Sequence, residues 1–223
     1  ALSGGDFHIS GDSPNASALR RILQLAPART VTEIPGLRSP LRRYQHRGVE
    51  WIRFLFENPL GGLLCDDMGL GKTHQIMAFM LLMKEERSAE SPFLVVCPTT
   101  VLSHWQAKIQ EHAPGLDAVL YHGTERSLEN PLKPAQVLLT SYGILRRDRE
   151  QFQSLPFSLA VFDEIQHIKN PNTQAYRAAL GVRASMKIGL TGTPVENSLD
   201  DLKAHLDLIL PGYLGSNTAF EKR

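Results

Sequence analysis

The sequence predicts an α/β fold: a mostly parallel central sheet with helices on both faces. Three observations carry that prediction. Continuous apolar runs of four or five residues recur along the chain, as strands covered on both faces require. Segments of helical spacing separate the runs, and crossover connections put such helices on both sides of a parallel sheet. A glycine-rich turn carrying Lys72 and Thr73 lies between one apolar run and the helix that follows it.

Residues 1–35 form a weakly patterned lead-in or linker, punctuated by Gly4, Gly5, Gly11 and Pro14, with one short helix expected over residues 16–26. Residues 36–223 form the main domain. Leu41, Tyr44, Gln45, Gly48, Val49, Ile52, Leu55 and Phe56 follow helical spacing up to Asn58-Pro59, where proline removes a donor. A strand at 62–65, a helix from Lys72 to about Arg87, a strand at 93–97 and a helix at 101–112 come next. Strands at 118–121, 137–140 and 159–162 precede a helix around 173–182, a strand at 187–190 and a last helix at 199–210.

Composition limits the function classes. At roughly 150 residues per domain, 223 residues amount to about 1.5 domains. The 42% hydrophobic and 21% charged content is that of a globular protein, and 17 Gly with 14 Pro are too few for a fibrous chain. Lys plus Arg at 24 against Asp plus Glu at 23 leaves +1, so nucleic-acid binding requires a local patch and not a general basic surface. Cys65 and Cys97 each end an apolar run without zinc-type spacing and are expected to be buried, reduced thiols. The eight histidines show no H-x-x-x-H spacing, so no structural metal is assigned. The longest apolar stretch, Ile76 to Met83, falls well short of the roughly 18 residues of a membrane helix, and no signal peptide opens the chain. A soluble intracellular protein without a membrane partner is expected. The start at Ala1 and the end at Arg223 suggest a piece of something longer.

Asp67-Met68-Gly69-Leu70-Gly71-Lys72-Thr73 has the context of a phosphate-binding loop. Glycines let backbone amides converge on a phosphate, the following helix aims its N-terminal dipole there, Lys72 adds a charge and Thr73 a hydroxyl for Mg²⁺. The strict G-x-x-x-x-G-K-[ST] pattern would place glycine at position 66, where Asp66 stands; an ordinary turn before a helix is the competing reading. Further along, Leu159-Ala160-Val161-Phe162 ends in Asp163-Glu164. Alternation along a strand would let Asp163 hold the metal while Glu164, as the base, faces the attacking water. Acidic pairs also mark places where strands simply meet solvent. Each motif supplies the partner that the other needs for nucleoside triphosphate hydrolysis.

Gly69 to Thr73, Asp163-Glu164-Ile165-Gln166 and Leu190-Thr191-Gly192-Thr193-Pro194 resemble motifs I, II and III of superfamily II helicases. The longer stretches Asp67 to Thr73, Asp163 to Asn170 and Leu190 to Asn197 resemble the SWI/SNF-related ATPases, in a bacterial or archaeal, HepA-like style. Asp66 agrees with that family. Leu41-Arg42-Arg43-Tyr44-Gln45 is similar to its adenine-side element, Pro98 to Trp105 to motif Ia and Thr140-Ser141-Tyr142 to motif Ib.

The resemblance implies the first RecA-like lobe of a P-loop ATPase, with ATP and Mg²⁺ as cofactors. Lys72 and Glu164 would be catalytic; Gln45 and Asp67, Met68, Gly69, Leu70, Gly71, Lys72 and Thr73 would bind nucleotide; Thr73 and Asp163 would hold Mg²⁺. Thr191, Gly192 and Thr193 would couple the γ-phosphate to the DNA site, although on residue types alone they also suit a capped turn. Thr99, Thr100 and Ser141 would meet DNA phosphates, contacts that carry no sequence information. Trp105 reads as a core residue at helical spacing with Leu102 and Ile109, base stacking being the alternative. Arg146, Arg147 and Arg149 read as a solvated helix face or a phosphate patch.

The implied activity is a double-stranded-DNA-dependent ATPase that translocates and displaces bound proteins, in a prokaryotic cytoplasm at the nucleoid. Its expected partners are duplex DNA without sequence preference, a DNA-bound protein, and a second RecA-like lobe absent from this chain. Without that lobe's arginine fingers, worth roughly 10³ to 10⁵ in rate, turnover by this chain is expected to be weak. An RNA-directed helicase and a non-hydrolysing nucleic-acid-binding switch are the alternatives; having both Lys72 and Glu164 argues for the motor, since a switch needs no base.

Overall fold

A computed structural model describes residues 29–127, 132–194 and 199–215, so the helix expected over residues 16–26 lies outside the described residues. Helix α1 (Arg43–Glu57) leads into β1 (Gly62–Leu64), α2 (Lys72–Glu85), β2 (Phe93–Cys97), α3 (Thr99–His112), β3 (Ala118–Leu120) and β4 (Val137–Ser141). Two short helices, α4 (Tyr142–Arg147) and α5 (Arg149–Ser154), precede β5 (Pro156–Asp163) and a 3-10 turn (Ile165–Ile168). The described elements end with α6 (Gln174–Leu180), β6 (Arg183–Leu190) and α7 (Leu199–Ile209).

Among the described residues the strands form one six-stranded sheet in the order β1-β6-β5-β2-β4-β3, and every pairing is parallel. Period-2 alternation divides the core between its two faces. Phe93, Val95 and Cys97 of β2 join Leu159 and Val161 of β5 and pack under α1, α2 and α3, together with Ile52, Phe79 and Trp105. Leu94 and Val96 point the other way, with Ala160 and Phe162, against Tyr142, Tyr176 and Leu208. Helix α2 is buried along nearly its whole length after the first turn, from Gln75 to Met83, which explains why it carries an unbroken apolar run.

Several elements differ from the sequence reading for physical reasons. Helix α3 begins at Thr99, two residues early, because its periodic signal comes from buried Leu102, Trp105 and Ile109 while the first turn is exposed. Strands β5 and β6 extend backwards to Pro156 and Arg183, pairing with each other beyond the apolar runs. At six residues each, α4 and α5 are too short to show a period, although Ser141 caps α4 by accepting from the Ile144 amide at 3.4 Å.

Candidate active site

The carboxyl ends of β1, β6 and β5, three adjacent strands, bring the sequence motifs together. Leu64, Leu190 and Asp163 are level across the sheet, because Leu64 pairs with Leu190 and Leu190 with Asp163. The glycine-rich loop leaves β1, Asp163-Glu164 ends β5, and Thr191 to Thr193 follow β6. Ligands of open α/β sheets lie at this edge.

Gly69 and Gly71 have φ of +83° and +81°, conformations that favour glycine, and they turn the loop into α2. Gly71 caps α2 without a side chain, so the helix end presents backbone amides and a positive dipole to the loop. The Lys72 ammonium rests on the Asp66 carbonyl at 2.6 Å and the Asp67 carbonyl at 3.3 Å. Asp66, where the generic pattern has glycine, accepts from the buried Gln75 amide at 2.7 Å through Oδ2. The departure from the pattern therefore ties the start of the loop to the first turns of α2. Asp67, Met68, Gly69 and Leu70 are exposed, and Gly71, Lys72 and Thr73 are half-buried.

Helix α1 braces the loop from the side. Gln45 is buried; its Nε2 donates to the Leu70 carbonyl at 3.1 Å, and its Oε1 accepts from the Arg42 amide at 2.8 Å. The Tyr44 hydroxyl donates to the same Leu70 carbonyl at 3.0 Å. A β-carbon on Gly71 would lie 2.3 Å from Gln45 Nε2.

Asp163 is 7% exposed. Its position on β5, in phase with Leu159 and Val161, aims the side chain to the α3 face, where the Trp105 Nε1–H donates to Oδ2 at 2.7 Å. The Glu164 amide donates to Oδ1 at 3.0 Å, and the buried Tyr142 hydroxyl donates to the Asp163 carbonyl at 2.8 Å. Burial raises the Asp163 carboxyl above its ordinary value, opposed mainly by the Trp105 hydrogen bond, with Lys72 close enough to pull it down further. Burial likewise pushes the neighbouring Cys97 thiol up to about 12. Burial also lowers the ammonium of Lys108, about one helical turn past Trp105, while Asp163 counteracts it.

Glu164 is not the next residue of a strand, as the alternation argument assumes. Its φ of +50° is left-handed and ends β5, and the half-buried carboxylate accepts from Gln166 Nε2 at 2.6 Å. A local backbone reversal, and not the strand pleat, separates the two carboxylates.

Thr191 is fully buried; its amide donates to the Leu64 carbonyl at 3.2 Å, and its hydroxyl accepts from the Thr193 amide at 3.0 Å. That is the capped-turn geometry, in which Thr193 alone of the two is exposed. A β-carbon on Gly192 would lie 3.1 Å from Met68 Cγ, so this turn packs directly on the glycine-rich loop. Val195 to Asn197 lie outside the described residues.

The remaining expectations divide. Thr99 and Thr100 are exposed at the start of α3, whereas the Ser141 hydroxyl is buried and used as the cap of α4. Arg146, Arg147 and Arg149 line an open cavity around the α4–α5 corner with Tyr121 and Gln174. Arg126, in the same cavity, is held by Asp148 at 2.6 and 2.9 Å. Cys97 is buried, but Cys65 is exposed because β1 ends at Leu64, one residue before it. Sequence reasoning missed Gln75 and the hydrogen-bonding roles of Tyr142 and Trp105. The signal for Trp105 was an indole on an apolar helix face, since a buried N–H needs a partner.

The donors suit Mg²⁺: a carboxylate without a cationic hydrogen-bond partner at Asp163 and a hydroxyl at Thr73 are hard oxygen ligands, few enough to leave positions for phosphate and water. The loop amides and Lys72 suit a polyphosphate. Among the described residues, no helix is long and apolar enough to cross a membrane.

The chain matches the family described as SNF2-related domain over residues 44–223. It is 40% identical over 193 residues to the putative ATP-dependent helicase/translocase YwqA of Bacillus subtilis, covering 85% of this chain and 21% of that protein. It is 35% identical over 202 residues to the TATA-binding protein-associated factor MOT1 of Saccharomyces cerevisiae, covering 84% and 11%. Among solved structures it superposes on the Sulfolobus solfataricus SWI2/SNF2 ATPase core in complex with dsDNA with a TM-score of 0.78 and 37% identity, over 86% of this chain and 40% of that one. The chain thus spans about a fifth or less of these curated relatives.

Proposed function

The chain belongs to the SNF2-related domain family, and from that premise we propose that it is the ATP-binding RecA-like lobe of a DNA-dependent ATPase that couples hydrolysis to movement along duplex DNA and displacement of bound proteins. One observation carries the reading: the glycine-rich loop, the Asp163-Glu164 pair and the Thr191–Thr193 turn meet at the carboxyl ends of three adjacent strands.

In this reading the amides from Gly69 to Thr73 and the Lys72 ammonium hold the β- and γ-phosphates. Thr73 and Asp163 hold Mg²⁺, which when bound neutralises charge on the phosphates. Glu164 orients the attacking water and takes its proton, and its link to Gln166 fixes the direction in which the carboxylate faces. Gln45 acts from α1, bracing Leu70 and lying on the side where the family reads adenine. Gly192 touches the loop at Met68, so a shift of the loop on hydrolysis moves the Thr191–Thr193 turn with it. Thr99 and Thr100 contact DNA phosphates from the exposed first turn of α3, without reading sequence. A second RecA-like lobe supplies arginine fingers across the nucleotide. The 40% identity to the Bacillus subtilis relative, against 35% to yeast MOT1, favours a motor that works at the nucleoid of a prokaryotic cell.

The presence of Lys72 together with Glu164 favours this motor over a binding switch. Measuring ATP turnover by the two-lobed protein with duplex DNA, single-stranded DNA and RNA tests it. Duplex DNA is expected to stimulate most; strongest stimulation by RNA would overturn the substrate assignment.

A further inference from the structure

We propose that Trp105 is a positioning residue for the metal site: its indole N–H fixes the orientation in which the Asp163 carboxylate meets Mg²⁺. The proposal rests on the nucleotide-binding reading above. Trp105 is 1% exposed, and its ring sits among the apolar residues under α2 and α3, so packing alone would account for the hydrocarbon part of the side chain. The N–H is a different matter, because a buried indole donor needs an acceptor and most side-chain hydrogen bonds in a protein go to backbone or water. Here the acceptor is Oδ2 of Asp163 at 2.7 Å, 58 residues away in sequence.

The rest of the carboxyl end of β5 is held with the same economy. The Glu164 amide takes Oδ1, and the Tyr142 hydroxyl takes the Asp163 carbonyl. Two points on the carboxylate and one on the backbone define both the rotamer and the peptide plane. All three donors are neutral. A lysine or arginine in the place of Trp105 would cancel the charge that attracts a cation, whereas an indole N–H orients the carboxylate and leaves its charge in place. An ionised carboxylate offers about four lone-pair sites. Two are used here, and the others remain for a metal. Donors behind a metal ligand commonly change its affinity for the ion by about 10- to 100-fold when removed.

The test separates the N–H from the ring. Trp105 is replaced site-specifically by benzothienylalanine, which keeps the fused-ring shape but has sulfur where the N–H was; Trp105→Phe serves as a second variant. Binding of N-methylanthraniloyl-ATP is followed by anisotropy while Mg²⁺ is titrated, and again in EDTA. The Mg²⁺ concentration for half-maximal binding is expected to rise about 10-fold in the benzothienyl variant, with affinity in EDTA close to that of the parent, while loss of the hydrogen bond to the buried carboxylate lowers the melting temperature by a few degrees. An unchanged Mg²⁺ midpoint with intact nucleotide binding overturns the role of Trp105 and leaves the nucleotide site standing. An equal loss in Mg²⁺ and in EDTA also overturns it, since packing alone would then be at work. A parent chain that binds no nucleotide in either condition refutes the nucleotide site, and this proposal with it.

Discussion

Replacing Gln45 with alanine should destabilise the chain even without nucleotide. Two hydrogen bonds disappear together. Loss of the Oε1 acceptor leaves the Arg42 amide at the start of α1 without its partner, a capping loss of about 1 kcal/mol. Loss of Nε2 removes one of two donors to the Leu70 carbonyl; because Tyr44 still serves that oxygen, the cost is that of one hydrogen bond, about 1 kcal/mol, and not of a stranded acceptor. The sum is about 2 kcal/mol, which for a domain of this size corresponds to a fall of roughly 4–8 °C in melting temperature. Thermal unfolding followed by circular dichroism reads this directly. Gln45→Glu sharpens the test, because it keeps the acceptor for Arg42 and turns a carboxylate oxygen towards the Leu70 carbonyl; it should melt no higher than the alanine variant. If Gln45→Ala melts within about 1 °C of the parent, well below the expected fall, α1 does not brace the loop, and Gln45 can matter only through a bound ligand.

Restoring the generic loop pattern with Asp66→Gly should destabilise by about 2 kcal/mol in urea unfolding, since it strands the buried Gln75 amide, whose Oε1 has no partner already. In the two-lobed protein, Glu164→Gln should lower ATP turnover by about 10²-fold or more while nucleotide binding persists in a filter assay; unchanged turnover would remove Glu164 as the base. Lys187 is a third case. Burial lowers its ammonium from the ordinary lysine value to about 8, while it donates to the Ala179 and Leu180 carbonyls at the end of α6. The unfolded chain therefore holds more protons above about pH 8, and stability should rise with pH from there towards the unfolded lysine value. Relative to the parent, Lys187→Met should flatten that rise in denaturation midpoints measured from about pH 7 to 10, the window that spans the folded and unfolded values; parallel curves would show that Lys187 titrates normally.

The sequence by itself determined the class of fold, most strand and helix positions, and the three motifs. Each is a local signal: an apolar run, a helical period, or a glycine, lysine and threonine in fixed order. Phe93 to Cys97 is read correctly to the residue because both faces of β2 are buried, so nothing interrupts the apolar run. Polar or short stretches leave no such trace, which is why the exposed turn of α3 and the bounds of the six-residue helices α4 and α5 were hidden, although the Arg146, Arg147 and Arg149 cluster reads as a helix face. Cys65 shows the limit from the other side: an apolar run does not reveal where pairing stops.

Tertiary structure decided which side chains share the site. Sheet order cannot be read from strand order, and only the pattern of pairings places β1, β6 and β5 side by side with Leu64, Leu190 and Asp163 level. Hydrogen bonds between residues far apart in the chain depend on that placement. Gln45 meets Leu70, Asp66 meets Gln75 across the loop, and Trp105 meets Asp163 because β5 and α3 pack on the same face. The left-handed turn at Glu164, which strand alternation does not anticipate, is what separates its carboxylate from that of Asp163, and the buried Ser141 and Thr191 hydroxyls accept from the Ile144 and Thr193 amides. A hydroxyl or an indole has the same sequence signature whether it faces solvent or a carboxylate. Its role is set by the neighbour that folding brings within about 3 Å, and that neighbour is a property of the packed chain.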